Sequence, residues 1–398
     1  MTSPLRPVAG PDRILGLDLA RGLAVIGMFA AHVLILGEFD WTTPISWGGV
    51  VDGRSAATFA LLAGVSIAII SGGVAPAEGV ALTRARARIL VRAALIFVLG
   101  GLLSALGTNV YIILEYYAVI FVMALPVLRW RSRSLFALAG VLALVAPIAQ
   151  LVLTRLLSAA GLAELPPLTL LITGAYPAIV WFVFVLVGVG IGRLDLRVRR
   201  VQLRLLAAGV VLAVLGYTAG SVAALWLERT SLGTGTSAPS PGVYPEVSEL
   251  FDLTPLLTAL PHTGSPFELA GATGFAVALV ALCLIVLRPG VLAAVRVILF
   301  PLVATGSMAL SAYSAQIIAL AVIGDGYWVQ GSNNAALYLS LTLSILLLCT
   351  LWSLFLGRGP LERFLSEASR SMAERITARR PGNALPELST GDRVRERE

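Results

Sequence analysis

Charged residues are scarce in this sequence, and lysine is missing altogether. Only 13% of the 398 residues are charged, 58% are hydrophobic, and all 29 basic residues are arginine. So little charge excludes an ordinary soluble globule and predicts a polytopic membrane protein. Exclusive use of arginine is typical of a GC-rich bacterial genome. We therefore expect a multi-pass protein of the bacterial cytoplasmic (inner) membrane, surrounded by membrane lipids.

Motifs that bind metals and cofactors are also missing. The two cysteines, Cys283 and Cys349, lie inside apolar runs and have neither metal-ligand spacing nor the pattern of a disulfide framework. The sequence contains no Walker motif, no glycine fingerprint for dinucleotides and no Gly-x-Ser-x-Gly elbow. We therefore expect no metal, and any chemistry must come from histidine, acidic, arginine and tyrosine side chains within the membrane.

Ten apolar runs are long enough to cross a membrane as helices. They cover roughly residues 14–36, 55–72, 89–106, 110–128, 135–154, 174–192, 204–226, 268–287, 297–322 and 335–357. The first run carries charges and has no clear small-residue cleavage site, so we expect it to remain as a helix. The predicted fold class is therefore an all-α, polytopic membrane helix bundle of about ten transmembrane helices.

The arginines concentrate in every second loop, which predicts the orientation. The net charge is +7, but this clustering in short loops is typical of topology determinants and argues against nucleic-acid binding. By the positive-inside rule both termini are cytoplasmic, and loops 37–54 and 227–267 are extracytoplasmic. The bundle then covers 1–357. The remaining 358–398 form a cytoplasmic tail that begins with an amphipathic helix and is disordered from 380 onward.

The first span carries an unusual polar stripe. Asp18, Arg21 and His32 fall close to one face of a helix, with His32 about 16 Å beyond Arg21 along the axis. A charge near the bilayer centre costs about 2.5–3.5 kcal/mol, so such residues usually face a cavity or a partner. The structural alternative is an Asp18–Arg21 ion pair that locks the helix, with His32 at the membrane interface.

Other polar residues are predicted at the same outer level of the membrane. Asp52 and Arg54 precede the second span, and His262 lies near the end of the extracytoplasmic loop 227–267. A histidine beside a carboxylate can act as a general base, and either Asp52 or Glu115 could fix its tautomer. The guanidinium of Arg21 suits the phosphate groups of an activated donor. This combination predicts group transfer across the bilayer.

Four segments resemble a known family. RGLAVIGMFAAH and VVDGRSAATFALLAGVSIAII resemble the first two spans of transmembrane acyltransferases related to heparan-alpha-glucosaminide N-acetyltransferase, and more closely their bacterial YeiB-type relatives. TGSMALSAYSAQIIAL and RGPLERFL resemble the C-terminal part of those relatives. Arg21 and His32 also fit the Arg-x10-His pattern of the broader membrane acyltransferase group, in which the histidine is the expected base.

The resemblance implies an acyltransferase. It would move an acetyl or other acyl group from cytoplasmic acyl-CoA (acetyl-CoA) to a hydroxyl or amine of an extracytoplasmic cell-envelope glycan or lipid-linked acceptor. The eukaryotic enzyme has its catalytic histidine in the first outside loop, whereas 37–54 contains none. The role therefore falls on His32 or His262. The sequence leaves the acyl group, the acceptor and a homodimeric assembly open.

The enzyme hypothesis assigns roles to two sets of residues. The predicted catalytic residues are His32, His262, Asp52 and Glu115, and the predicted substrate-binding or donor-binding residues are Asp18, Arg21, Arg54, Tyr116, Tyr117, Tyr313 and Gln316. The alternative is a transporter or flippase for a small solute or lipid-linked substrate, with Asp18 and Arg21 as a gating pair. Transporters often contain internal repeats, and 1–200 shows no clear similarity to 201–398, which favours the enzyme.

Overall fold

The structure, a computed structural model, describes residues 13–37, 39, 42–231, 252–288, 290, 292–324 and 334–378. Within these ranges the chain is helical and contains no strand. The helices are α1 (Leu15–Val33), α2 (Arg54–Ile70), α3 (Gly79–Ser104), α4 (Leu114–Met123), α5 (Ser132–Ala159), α6 (Pro166–Thr173), α7 (Ala178–Gly192), α8 (Arg199–Ser231), α9 (Pro266–Val286), α10 (Ala293–Ile298), α11 (Phe300–Ser307), α12 (Ala309–Ile323), α13 (Ala335–Phe355) and α14 (Pro360–Ala378).

The all-helical membrane fold is confirmed, but the prediction of ten spans is not. Seven of the described helices are long and apolar enough to cross a membrane, and up to nine if two bent pairs each count as one span. The pairs are α6 with α7, bent by 57°, and α11 with α12, bent by 86°. Helix α4 has only ten residues. It is about 15 Å long, half of a hydrocarbon core, because the apolar run continues into a 3-10 turn that begins at Pro126.

Glycines allow the central helices to approach each other closely. A side-chain carbon at Gly306 of α11 would collide with the backbone of α1, and one at Gly22 of α1 would collide with α11. Gly64 of α2 and Gly188 of α7 form a second contact of the same kind. Lipid tails provide no hydrophobic drive for helix association, so close backbone packing at small residues supplies much of the attraction. The small residues of the second predicted span have this role.

Polar contacts define two opposite faces of the bundle. At one, which we call the histidine face, His262 pairs with Asp52 just before the start of α2. At the other, the arginine face, the guanidinium of Arg193 donates to the carbonyl oxygens of Ala68, Ser71 and Gly73 near the end of α2. Because α2 runs from the first contact to the second, the two faces lie at its opposite ends.

Helix α14 packs against α3 and α12 at the arginine face. The carboxylate of Glu362 accepts hydrogen bonds from the backbone N–H groups of Leu310 (2.8 Å) and Ser311 (3.1 Å), and so caps α12 at the bend. A helix is present after residue 358, in the segment for which the sequence predicts an amphipathic helix. The tail expected to be disordered from 380 onward, and much of loop 227–267, lie outside the described residues.

Candidate functional site

A cavity of about 420 Å³ lies at the histidine face. We call it the histidine cavity. It is built by the end of α1, the start of α2, the segments before α4 and α7, the loop before α9, and α12. The side chains most relevant to chemistry that line it are His32, Asp52, Tyr176, Trp181, His262 and Tyr313. The structure thus brings together the only two histidines of the sequence, 230 positions apart, at one cavity.

His262 lies beside an acid at the cavity, and the two form an ion pair when the imidazole is protonated. Its Nε2 lies 3.4 Å from Oδ1 of Asp52, and the edge of its ring packs on Tyr176, with 5.9 Å between ring centroids. The contact with Asp52 raises the pKa of His262 above its ordinary value, with a further contribution from the charge of Glu268, while burial opposes the shift. No described residue forms a hydrogen bond with Nδ1 of His262. This nitrogen is available for proton transfer.

The loop before α9 holds His262 in a rare backbone conformation. Its φ of 63° lies in the left-handed region, and it is the only non-glycine residue with a positive φ among the described residues. Both carboxylate oxygens of Glu268 accept from this loop, at 2.6 Å from the N–H of His262 and 2.6 Å from the N–H of Gly264. Such a conformation costs about 1–3 kcal/mol and persists only where the surroundings enforce it. Glu268 therefore positions His262.

Glu268 was not predicted as a site residue, although its sequence context contains a local signal. Ser265 and Glu268 form the Ser-x-x-Glu pattern of a helix N-terminus, and the Ser265 hydroxyl accepts from the N–H of Glu268 at 3.0 Å. In the usual arrangement the glutamate would bond back to the capping residue. Here its buried carboxylate, 8% exposed, extends one turn further to the histidine loop.

We expect the substitution Glu268→Gln to loosen this loop. The amide nitrogen of glutamine cannot accept a hydrogen bond, so one of the two backbone N–H groups loses its partner, at a cost of about 1–3 kcal/mol. Thermal unfolding in detergent should show a lower midpoint for Glu268→Gln than for Glu164→Gln, a matched change at an exposed residue. Equal midpoints for the two variants would argue against the positioning role.

His32 has a different environment from His262. Its Nδ1 lies 3.0 Å from Oε1 of Gln316, and its ring packs edge-on against Tyr313 at 6.1 Å. When the Gln316 carbonyl accepts this hydrogen bond, Nδ1 carries the proton and Nε2 keeps its lone pair. Gln316 is fully buried behind the histidine. The predicted residues Tyr313 and Gln316 thus both contact His32.

The acids are arranged differently from the sequence hypothesis. Asp52 pairs with His262 rather than with His32. Glu115 does not line the histidine cavity, because its carboxylate accepts a hydrogen bond from the hydroxyl of Ser104 on α3 at 2.9 Å. Among the described residues, Glu115 thus contacts Ser104 and neither histidine.

Three further predicted residues support the cavity from behind. Arg54 donates from Nε to the hydroxyl of Tyr217 at 2.7 Å and from Nη1 to a loop carbonyl, and so ties the start of α2 to α8. Tyr116 is buried and packs on Tyr176 with 5.6 Å between ring centroids. Tyr117 is also buried, and its hydroxyl donates to the carbonyl of Ala56 at 3.3 Å. None of the three predicted residues lines the histidine cavity.

A second cavity, of about 280 Å³, lies nearer the arginine face and is called the arginine cavity. Arg21 and Arg92 line it together with the hydroxyl-bearing residue Ser66. Asp18 is 2% exposed and accepts from Nε of Arg13 at 2.6 Å and from Nη1 of Arg21 at 2.8 Å. The structural ion pair considered from the sequence therefore exists. Arg21 nevertheless also donates from Nη2 to Ser66 at the cavity wall.

The two cavities approach each other along α2. Ala56 lines the histidine cavity and Phe59 lines the arginine cavity. Three residues of a helix rise only about 4.5 Å. Between the cavities, the ring of Tyr117 stacks on Phe59 with 5.9 Å between centroids and an interplanar angle of 12°. Both rings line the arginine cavity, and the hydroxyl of Tyr117 donates to the carbonyl of Ala56, which lines the histidine cavity.

Comparison with protein families identifies the chain. Residues 13–226 match the family described as Heparan-alpha-glucosaminide N-acetyltransferase, catalytic, and residues 245–370 match the family described as Protein of unknown function (DUF418). A comparison with curated proteins finds no match. The first match covers more than half of the sequence and includes α1, α2 and the segment between them, and the resemblance to this family and its YeiB-type relatives is confirmed. The chain therefore belongs to the heparan-alpha-glucosaminide N-acetyltransferase catalytic family.

Proposed function

We propose that this protein transfers an acyl group, with acetyl as the first candidate, from acyl-CoA in the cytoplasm to an acceptor outside the membrane. The acceptor is a hydroxyl or amine of a cell-envelope glycan or of a lipid-linked sugar. The observation that carries this proposal is the approach of the two cavities from opposite faces to within one helical turn of α2. Donor and acceptor can then meet while each stays on its own side of the membrane.

The distribution of arginine supports the direction of transfer. The loop and helix start after α2 carry Arg84, Arg86 and Arg88, and the segment after α4 carries Arg129, Arg131 and Arg133. Basic residues in short loops mark the cytoplasmic side. On this basis the arginine face is cytoplasmic, and the histidine face is extracytoplasmic.

The arginine cavity suits the donor. Its two guanidinium groups, Arg21 and Arg92, match the oxygens of a diphosphate, because the planar fork of arginine binds phosphate in a bidentate manner. Leu62, Ile67 and Ile96 line the same cavity and provide apolar contacts for the long arm that carries the thioester. The thioester would reach the acceptor past Tyr117 and Phe59, whose stacked rings must separate for transfer.

The histidine cavity suits the acceptor chemistry. In the proposed reaction the neutral imidazole of His262 takes the proton from the acceptor hydroxyl or amine, and Asp52 stabilises the imidazolium that forms. The acceptor oxygen or nitrogen bonds to the thioester carbonyl carbon, the carbon–sulfur bond breaks, and the leaving thiolate receives a proton. His32, which lines the same cavity, is the second proton-transfer group in this scheme.

We expect Arg21→Ala to weaken the binding of acetyl-CoA by about tenfold or more, since a charge-assisted hydrogen bond to phosphate contributes about 1.5–3 kcal/mol. The fold should survive, because Asp18 keeps its ion pair with Arg13. The measurement is titration calorimetry of acetyl-CoA with the purified protein in detergent.

The matched control for that measurement is Arg129→Ala, which removes an exposed arginine that pairs with Glu78 away from the cavity. Unchanged affinity in both variants would leave Arg21 with a purely structural role. No binding of acetyl-CoA to the wild type would overturn the proposed donor.

Transport remains the second candidate function because of one observation. Helices α11 and α12 form a span bent by 86°, and discontinuous helices are common at the binding sites of transporters. Glu362 already caps the N-terminus of α12, which disfavours this end as a substrate site.

An assay in proteoliposomes distinguishes the two functions. The vesicles contain glucosamine, and labelled acetyl-CoA is added outside. The enzyme yields labelled acetylglucosamine inside, whereas a transporter moves an unmodified solute.

A further inference from the structure

A third cavity lies at the arginine face, between the start of α3 and α14. It has a volume of about 440 Å³, and we call it the arginine groove. Three guanidinium groups line it, those of Arg84, Arg88 and Arg370. A single carboxylate, Glu374, shares the groove, and the remaining wall is made of small or apolar side chains. The lining therefore has an excess of positive charge.

The three arginines have little compensation for this charge. None of them forms a salt bridge or a hydrogen bond with another described residue, and Glu374 attracts Arg88 only through space. Nε of Arg88 is buried without a hydrogen-bond partner. On the outer side of α14, by contrast, Arg363 pairs with Glu367 at 3.0 Å. Like charges held together repel each other, and a buried donor without an acceptor costs free energy. An anionic ligand in the groove would relieve both costs.

The groove leads towards the donor cavity. Arg84, Arg88 and Arg92 follow each other at intervals of four residues, so they lie on one side of α3. The first two line the groove, and Arg92 lines the arginine cavity beside Arg21. Ile70 at the end of α2 lines both spaces. A row of guanidinium groups therefore connects the edge of the bundle with the donor site.

We propose that Arg84, Arg88 and Arg370 form a phosphate-ester site at the arginine face. The shared chemistry is a phosphate ester whose oxygens accept charge-assisted hydrogen bonds from several guanidinium groups. Two sources fit this position, namely the phosphate on the ribose of acyl-CoA and the headgroup phosphate of an anionic phospholipid. The first source rests on the proposed donor, whereas the second does not.

The test compares three ligands on the purified full-length protein in detergent. They are acetyl-CoA, 3′-dephospho-acetyl-CoA and phosphatidylglycerol, the last followed by native mass spectrometry. The variant is Arg84→Gln/Arg370→Gln, which changes two exposed side chains and so spares the packed interior. The control is Arg363→Gln, which removes an arginine of α14 outside the groove.

If the ribose phosphate is the ligand, the wild type and the control bind acetyl-CoA about tenfold more tightly than the dephosphorylated form, and the double variant loses this preference. If the lipid is the ligand, the preference is absent throughout, and the double variant retains less phosphatidylglycerol than the control. Equal behaviour of the double variant and the control with all three ligands would overturn the site.

The same experiment separates this inference from the proposed function. Failure of every protein to bind either nucleotide would reject the acyl-CoA donor, while the lipid comparison would still decide the arginine groove. Strong acetyl-CoA binding with no effect of the double variant on any ligand would instead keep the donor and reject the groove.

Discussion

Replacement of His262 by glutamine is expected to lower the rate of acyl transfer by about 10²- to 10⁴-fold, which is the usual contribution of a general base. Glutamine keeps a side chain of similar size in the loop but cannot take a proton. Donor affinity should stay within about twofold of the wild type, because His262 lies at the histidine cavity and not at the arginine cavity. The measurement is the initial rate of labelled acetyl transfer from acetyl-CoA to glucosamine.

The pH dependence should identify the acid that acts with this histidine. Asp52 stabilises the protonated form of His262 and raises its pKa. Because the base must be neutral, the rate should rise with pH through a midpoint above the ordinary histidine value of about 6.5. Asp52→Asn removes the negative charge, so the pKa falls and the midpoint should move to lower pH. The maximal rate should fall as well, because the imidazolium formed during transfer loses its counter-charge.

His32→Ala is the comparison that distinguishes the two histidines. This variant should also lose activity. Its residual activity should keep the same pH midpoint, and Asp52→Asn should still lower that midpoint, because Asp52 pairs with His262 and not with His32. Full activity in His262→Gln together with complete loss in His32→Ala would assign the base to His32 and reject the role proposed for His262.

The largest effect on stability is expected at Arg193. This side chain is 5% exposed, and its guanidinium donates to carbonyl oxygens at the end of α2 and to the carbonyl of Leu128 after α4. It also donates from Nη2 to the Ser71 hydroxyl at 2.8 Å. Arg193→Met keeps an apolar stem but removes the charge-assisted hydrogen bonds to these oxygens. The free energy of unfolding should fall by about 3 kcal/mol or more.

The matched control for this prediction is Arg200→Met. Arg200 is exposed at the start of α8 and belongs to the same cluster of arginines. Both variants therefore remove one positive charge from the cluster that predicts the membrane orientation. Thermal unfolding in detergent should show a much lower midpoint for Arg193→Met alone. Equal midpoints would mean that Arg193 acts only through its charge.

Arg193 also illustrates the limits of sequence analysis. In the sequence it is one of several arginines between two apolar runs, and these predict orientation as a group. Nothing local distinguishes it from Arg197, Arg199 or Arg200. The difference arises because α7 ends beside the ends of α2 and α4, where the carbonyl groups of Ala68 and Leu128 accept hydrogen bonds from the Arg193 guanidinium. Only the packing of three helices brings these groups to one side chain.

For the membrane spans, too, the sequence predicts one part of the structure and the packing decides another. Apolar runs predict helices reliably, because a backbone in lipid must satisfy its own hydrogen bonds. The same runs do not reveal where a helix stops within the membrane. Helix α4 was expected over 110–128 but covers only Leu114–Met123, and the ninth predicted run is divided by the bend between α11 and α12. A neighbouring helix supports the second break, since Glu362 of α14 supplies the cap that the bend needs.

For the candidate site, the sequence by itself determined the contacts that helical periodicity controls. Asp18 and Arg21 are three residues apart on one helix, so their ion pair follows from the geometry of a single turn. Only the tertiary structure decided the partners of the histidines. His32 meets Gln316 across 284 residues, and His262 meets Asp52 from a distant loop. No periodic pattern relates such residues, because their contact depends on which helices and loops pack together in space.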